Sequence, residues 1–220
     1  MTADPADLTL DELRLALAPA IADAAVFDGW SDAALVSAAT IDGVDADVAR
    51  LACPGGAMDM IAAWIGSVDL AMAAALPPET LGTMKIRERI RALVQARLGA
   101  IAGREEALRR AMAIMAMPQN VVRAGKLGWA SADAMWRLAG DTATDYNHYT
   151  KRTLLAGIYA ATLAVFVDDE SEGKADTGAF LDRRIENVMQ FEKAKAQLLK
   201  PSDERFSVAR FLGRLRYPAR

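Results

Sequence analysis

Chain breakers fall at intervals that leave room for helices and for little else. Gly29, Gly43, the Pro54-Gly55-Gly56 triplet, Pro77-Pro78, Gly103 and Pro118 cut the first part of the chain into helix-length segments, inside which apolar residues recur at helical spacing. Alanine fills 46 of 220 positions, and Leu, Met, Arg and Glu, all good helix formers, are frequent. No convincing alternation of apolar and polar residues marks a strand. An all-α fold is the expectation.

The segments can be read one by one. Thr9 precedes Leu10, Leu13, Leu17 and Ile21, with Glu12 three residues after it, so a capping box opens a first helix to about Phe27. Ser31 caps a second helix over DAALVSAAT, Gly43 turns the chain, and Asp45 caps a short third helix that Pro54 stops. A fourth, about 57–76, carries Met60, Ile61, Trp64, Ile65, Val68 and Met72. The fifth reads as one helix from Glu79 to about Ala102, with Lys85, Arg87, Arg89, Arg91 and Arg97 mostly on its outer face. Next come a helix over 104–117, an irregular helical stretch past Gly125, Gly128 and Ser131, and two long helices over about 144–167 and 177–199. Residues 205–217 form a short candidate amphipathic helix. The expected organisation is a three-helix head over 1–56, a larger bundle over 57–200 and a terminal helix within 201–220.

The net charge of −3 hides two opposed fields. Residues 1–80 hold 13 acids and two bases, Arg14 and Arg50, whereas residues 81–220 hold 16 acids and 24 bases. With one His and one Cys, the chain alone supplies no disulfide framework, no Cys/His zinc site and no two-histidine di-iron site. No metal and no cofactor is expected. The first base, Arg14, follows four acids, the reverse of a signal or transit peptide. The longest uncharged run, Thr153 to Val167, is 15 residues, short of the roughly 18–20 needed to cross a bilayer. A cytosolic protein is expected on these grounds.

The run WSDAALVSAATIDGVD, Trp30 to Asp45, with Gly43-Val44 at the turn, the helix Ala46 to Cys53 and PGGAMDMI after it, resembles the helix-turn-helix of the tetracycline-repressor (TetR) family. DNA recognition needs basic or polar groups facing phosphates and bases. Residues 31–56 instead carry Asp32, Asp42, Asp45 and Asp47 against Arg50 alone, so no nucleic-acid partner is expected and the head reads as retained architecture. Catalytic motifs are missing: there is no G-x-G-x-x-G, no Walker sequence, no G-x-S-x-G and no H-E-x-x-H. Asp145-x-x-His148 has no second His beside it, and Cys53 ends an apolar helix as a small hydrophobe does. The expectation is a protein that is not an enzyme.

A further likeness lies later. AMWRLAGDTATDYNHYTKRT from Ala134, then LLAGIYAATLAVFVDDES, then TGAFLDRRIENVM, ending at Met189, resembles in order and spacing the ubiquinone (coenzyme Q) biosynthesis accessory protein family. The resemblance implies a TetR-like homodimer that binds an isoprenoid or phospholipid ligand in an apolar site and assists the di-iron demethoxyubiquinone hydroxylase. It also implies that the tryptophan of MWRLAGD, Trp136, belongs to the partner-binding surface, with Met135 and Leu138 beside it. Read from the residues alone, Trp136 is more readily a core residue.

For the lipid, the large soft side chains are the candidates: Met112, Met115, Met117 and Trp129, with Leu155, Tyr159, Leu163 and Phe166 on the long uncharged helix, where Gly157, Ala160, Ala161 and Ala164 leave space. Ordinary core packing explains each of them as well. In the terminal segment Val208, Phe211, Leu212 and Leu215 form an apolar stripe flanked by Arg205, Arg210, Arg214 and Arg216, a pattern suited to a membrane surface. Docking of that helix on its own bundle is the other reading. The combined expectation is a lipid-presenting helper, cytoplasmic and peripherally attached to the inner membrane. A TetR-like regulator sensing a hydrophobic ligand is the alternative.

Overall fold

Helices account for the regular structure of the described residues, 7–142 and 146–199, in this computed structural model. The first helix, α1 (Leu10–Asp28), starts as the capping box predicts: the Thr9 amide donates to Glu12 Oε2 at 2.9 Å, and the Glu12 amide donates to Thr9 Oγ1 at 3.4 Å. Gly29, at φ 68°, ends it in a backbone conformation that a side chain would resist. Pro19 lies inside α1 and removes one backbone donor, yet the helix continues because Leu13, Leu17 and Ile21 are buried against its neighbours. Packing outweighs local propensity there.

The head continues with α2 (Asp32–Ile41), capped by Ser31, and α3 (Ala46–Ala52), where the Asp45 carboxylate accepts the amides of Asp47 and Val48. The Pro54–Gly56 triplet leads into α4 (Ala57–Ala75), which packs against α1. Gly66 lies on the α1-facing side of α4, where a Cβ would come within 3.4 Å of Leu15, an ordinary contact. Trp30 ties the head to the body: its indole N–H donates to the Ala107 carbonyl at 2.9 Å, and its ring lies 5.3 Å from that of Trp64.

Two departures from the expected helices have identifiable physical causes. The predicted fifth helix is two, α5 (Pro78–Gly82) and α6 (Ile86–Ile101). Lys85 is extended, the Glu88 carboxylate accepts its amide at 3.0 Å, and Arg89 donates to the carbonyls of Gly82, Met84 and Ala139, so a second start outcompetes continuation. After α7 (Glu105–Met115), the stretch expected to be irregular is one unbroken helix, α8 (Val121–Leu138), whose glycines cost less than its packing returns.

The long helix α9 (Tyr146–Asp168) packs on α8 and α7. A short turn, Glu172–Lys174, precedes α10 (Ala175–Leu199). Asp169 fixes that corner by accepting the amides and hydroxyls of Ser171 and Thr177 at 2.5–2.9 Å. The chain forms two compact units, Met1–Asp182 and Arg183–Arg220, with α10 beginning in the first and continuing in the second. The Asp145 position and the helix expected over 205–217 fall outside the described residues.

By length and composition alone, Ala57–Ala75 and His148–Asp168 are apolar enough to cross a membrane. Each packs within the first unit, and the carboxylates of α4 find partners there, Asp59 on Arg123 and Asp69 on Arg97.

Candidate functional site

Between α4, α6, α7, α8 and α9 the first unit holds a cavity of about 300 Å³. Small residues create it: Ala111, Ala124, Gly128, Ala156 and Ala160 line the wall where larger side chains would close the space. Ile61, Trp64, Ile65 and Val68 form the α4 side, and Ile101, Leu108 and Leu127 add to an apolar lining. Its polar groups are few: Arg97, Ser131 and Tyr159. Concave, mostly apolar space with a few convergent polar groups suits an apolar small molecule.

The sequence-predicted lipid residues divide evenly. Met112, Met115, Tyr159 and Leu163 line the cavity. Leu155 and Phe166 are buried elsewhere, with Lys174 Nζ 4.9 Å from the Phe166 ring centre. Trp129 is half-buried against His148 and Tyr149, at ring separations of 6.4 and 6.0 Å, and Met117 is exposed. Periodicity places a side chain on a buried face but does not say which buried face encloses space.

Arg97 is the correction with the most chemistry. Expected on the outer face of its helix, it is 1% exposed. It pairs with Asp69, donates from Nη2 to Ser131 Oγ at 3.1 Å and lies 4.8 Å from the centre of the Tyr159 ring. The signal that could have found it is Asp69, a partly exposed carboxylate among the apolar residues of α4 for which a cation on a neighbouring helix is the natural partner.

Trp136, half-buried, is held rather than loose. Its indole donates to the Lys151 carbonyl at 3.0 Å, and Lys151 Nζ lies 5.3 Å from its ring centre. Lys151 in turn pairs with Asp141 at 2.6 Å, and Arg152 bridges Asp133 and Asp141 at 2.5 and 3.0 Å. Met135 is fully buried, so of the three predicted partner residues Trp136 and Leu138 reach the surface. The predicted membrane-binding residues, Arg205, Val208, Arg210, Phe211, Leu212, Arg214, Leu215 and Arg216, lie outside the described residues.

Burial alone would push the Asp141 carboxyl up, but hydrogen bonds from Lys151 and Arg152 outweigh it and hold the group below the usual carboxylate range. Asp59 behaves alike: burial raises it, and Arg123 and the Gly55 amide lower it further. Both carboxyls therefore bind protons more weakly folded than unfolded. Their stabilisation is complete above the ordinary unfolded-state value near 3.9 and is lost as pH falls through the lower folded value. The urea midpoint is expected to drop below about pH 4, and Asp141→Asn to flatten that drop. An unaltered slope in the variant contradicts the assignment.

In the head, Arg50 is already occupied. It donates to both Asp32 oxygens at 2.8 and 2.9 Å and to Asp47 at 2.8 Å, and these partners raise its affinity for its proton further. Val48 and Leu51 of α3 are exposed beside Asp47. No group of three or more His, Cys, Asp or Glu that could hold a metal occurs among the described residues. Cys53 is buried, and that burial raises its thiol pKa, the opposite of a reactive cysteine.

Residues 121–192 match the COQ9 family, a span that includes α8, α9 and Trp136. Over that span the chain is similar to COQ9 proteins. It is 42% identical over 89 residues to the ubiquinone biosynthesis protein COQ9 of Rattus norvegicus, covering 40% of this chain and 28% of that protein. COQ9-A of Xenopus laevis is 32% identical over 168 residues, covering 73% and 53%, and COQ9 of Drosophila melanogaster 26% identical over 198 residues, covering 88% and 60%. All three are named mitochondrial. The chain thus spans 28–60% of these COQ9 proteins. A TetR transcriptional regulator from Nitrosomonas europaea superposes with TM-score 0.65 at 21% identity, covering 82% of this chain and 99% of its own. The fold is TetR-like and all-α, and the resemblance read from Ala134 to Met189 holds.

Proposed function

We propose that this chain is a non-enzymatic, lipid-binding accessory protein of ubiquinone biosynthesis. It takes up an isoprenoid or related lipid in the cavity and presents a polyprenylated quinone intermediate to the demethoxyubiquinone hydroxylase at a membrane. The observation that carries the reading is the apolar cavity of about 300 Å³, two of whose walls, α8 and α9, lie in the COQ9-matching span. A lipid chain exposed to water costs about 0.8 kcal/mol per methylene, so an apolar enclosure lowers the barrier to carrying one between membrane and enzyme.

Trp136 is the anchor proposed for the hydroxylase. Its ring is presented at the surface by its hydrogen bond to Lys151, and pre-organised aromatic side chains make good interface anchors. The basic, amphipathic run at 205–216 supplies the membrane contact, and a homodimer of the TetR-like kind is the assembly. Localisation at an inner-membrane surface follows from that role, and the mitochondrial naming of the relatives agrees with a membrane-associated quinone pathway. The regulator reading loses its one candidate DNA-contacting base, since Arg50 is engaged by Asp32 and Asp47.

Native mass spectrometry of the purified chain, followed by extraction and identification of what it carries, is the test. A polyprenyl or acyl lipid at near-stoichiometric amount is expected. Recovery of none, together with no binding to anionic liposomes, overturns the carrier reading.

A further inference from the structure

One stretch of the first unit lacks a buried side. From residue 112 to residue 130, across the end of α7 and the first half of α8, no residue is buried, although Ala111 and Ser131 at either end both are. Three large apolar residues are exposed at the corner between the two helices, Met117 at 43%, Val121 at 54% and Val122 at 69%. The corner is nevertheless a formed structure. Asn120 Nδ2 donates to the Ile114 carbonyl at 2.8 Å, and the amides of Asn120 and Val121 donate to the Met117 carbonyl at 2.8 and 3.1 Å. These backbone groups are paired locally, which lowers the cost of taking the corner out of water.

The same corner bounds the cavity. Met112, Met115 and Ala116 line it from the α7 side, and Ala124, Leu127 and Gly128 from α8. Two of the lining residues are exposed, Ala116 at the corner and Ala160 on α9, so the cavity reaches the surface there.

Charge identifies what covers this surface. No acid occurs between Glu106 and Asp133, where the bases are Arg109, Arg110, Arg123 and Lys126, and residues 111–122 carry no charge at all. Arg109, Arg110 and Arg123 have carboxylate partners, whereas Lys126 is exposed and forms no ion pair among the described residues. Lys126 stands one turn, about 6 Å, up α8 from Val122, within the roughly 5–10 Å to which an interfacial element buries its apolar side. An apolar tip with cations set back by that depth matches a bilayer carrying anionic head groups. The exposed Val48 and Leu51 of α3 lack this pattern, because such a bilayer repels Asp45 and Asp47 beside them. We propose that the α7–α8 corner inserts into the interface of an anionic membrane, and that lipid passes between bilayer and cavity beside it. The proposal rests on the lipid-cavity reading and adds the route of entry.

The test places a nitrobenzoxadiazole label on Val122→Cys in the full chain, with labelled Leu51→Cys as the control. Both positions are exposed, and Cys53 is buried away from the thiol reagent. With vesicles of phosphatidylcholine containing one-third phosphatidylglycerol, the label at 122 is expected to brighten severalfold and shift to the blue, and the label at 51 to stay unchanged. Val121→Glu/Lys126→Glu alters two exposed side chains and is expected to weaken binding to these vesicles by about tenfold or more. A label at 122 that stays in water, whether or not the protein sediments with the vesicles, overturns the proposal. So does a label that shifts only when the hydroxylase is added, which assigns the corner to a protein partner. Lipid transfer is read separately, by mass spectrometry of protein recovered from the vesicles. Insertion at 122 without such transfer overturns the lipid-cavity reading and leaves the corner as a membrane contact alone.

Discussion

Arg152→Ala is expected to destabilise the protein by about 3–5 kcal/mol, near the lower end of that range, measured as the loss of unfolding free energy in urea. The Arg152 side chain is 2% exposed, and it bonds Asp133, Asp141 and the His148 carbonyl. Removing it leaves Asp141, 6% exposed, with Lys151 alone, and Asp133, 18% exposed, with the exposed Arg137. A buried ion pair contributes little when compared with an apolar replacement, but breaking one side of it strands the other. Lys151→Ala removes the more exposed partner of the same network, 39% exposed, and should cost about 1 kcal/mol or less. The reverse ranking of the two variants would mean that Arg152 is not what holds α8 to α9.

That network also shows why Trp136 could not be placed from sequence. Its hydrogen bond runs to a backbone carbonyl 15 residues away, and its stacking partner, Lys151, is fixed by Asp141. Each residue looks ordinary alone, and only the α8–α9 packing makes them one structure. The head was legible because its signals are local: Thr9 with Glu12, Ser31 and Asp45 each cap within three residues. The break at Thr83 to Lys85 was not legible, because it depends on Arg89 reaching the Ala139 carbonyl across 50 residues.

The cavity was half legible for a similar reason. Met112, Met115, Tyr159 and Leu163 announce themselves by size and spacing, whereas the space beside them is made by what is absent at Gly128, Ala124 and Ala156. Arg97 escaped because a basic residue on an amphipathic helix is assigned outward by default. Its true environment depends on Asp69, 28 residues earlier, and on Ser131 and Tyr159 from two later helices.

Gly128→Phe should lower the lipid recovered with the purified chain by about tenfold or more, since its ring would take up a large part of a cavity of about 300 Å³ and interrupt the path of an extended chain through it. Gly128 lines the cavity from α8, and a Cβ built there meets no atom within 4 Å, so the new side chain enters open space without moving the backbone. Phenylalanine is also a better helix former than glycine, recovering part of the roughly 0.5–1 kcal/mol that separates glycine from alanine, which favours a folded variant. Gly125→Phe is the control. Gly125 stands one turn earlier on the same helix, is exposed, has open space at its Cβ and does not line the cavity. Quantified by mass spectrometry per mole of protein, lipid should fall in the Gly128 variant and persist in the Gly125 variant. Equal losses would point to α8 stability rather than to occupancy, and undiminished lipid in Gly128→Phe would move the binding site out of this cavity altogether.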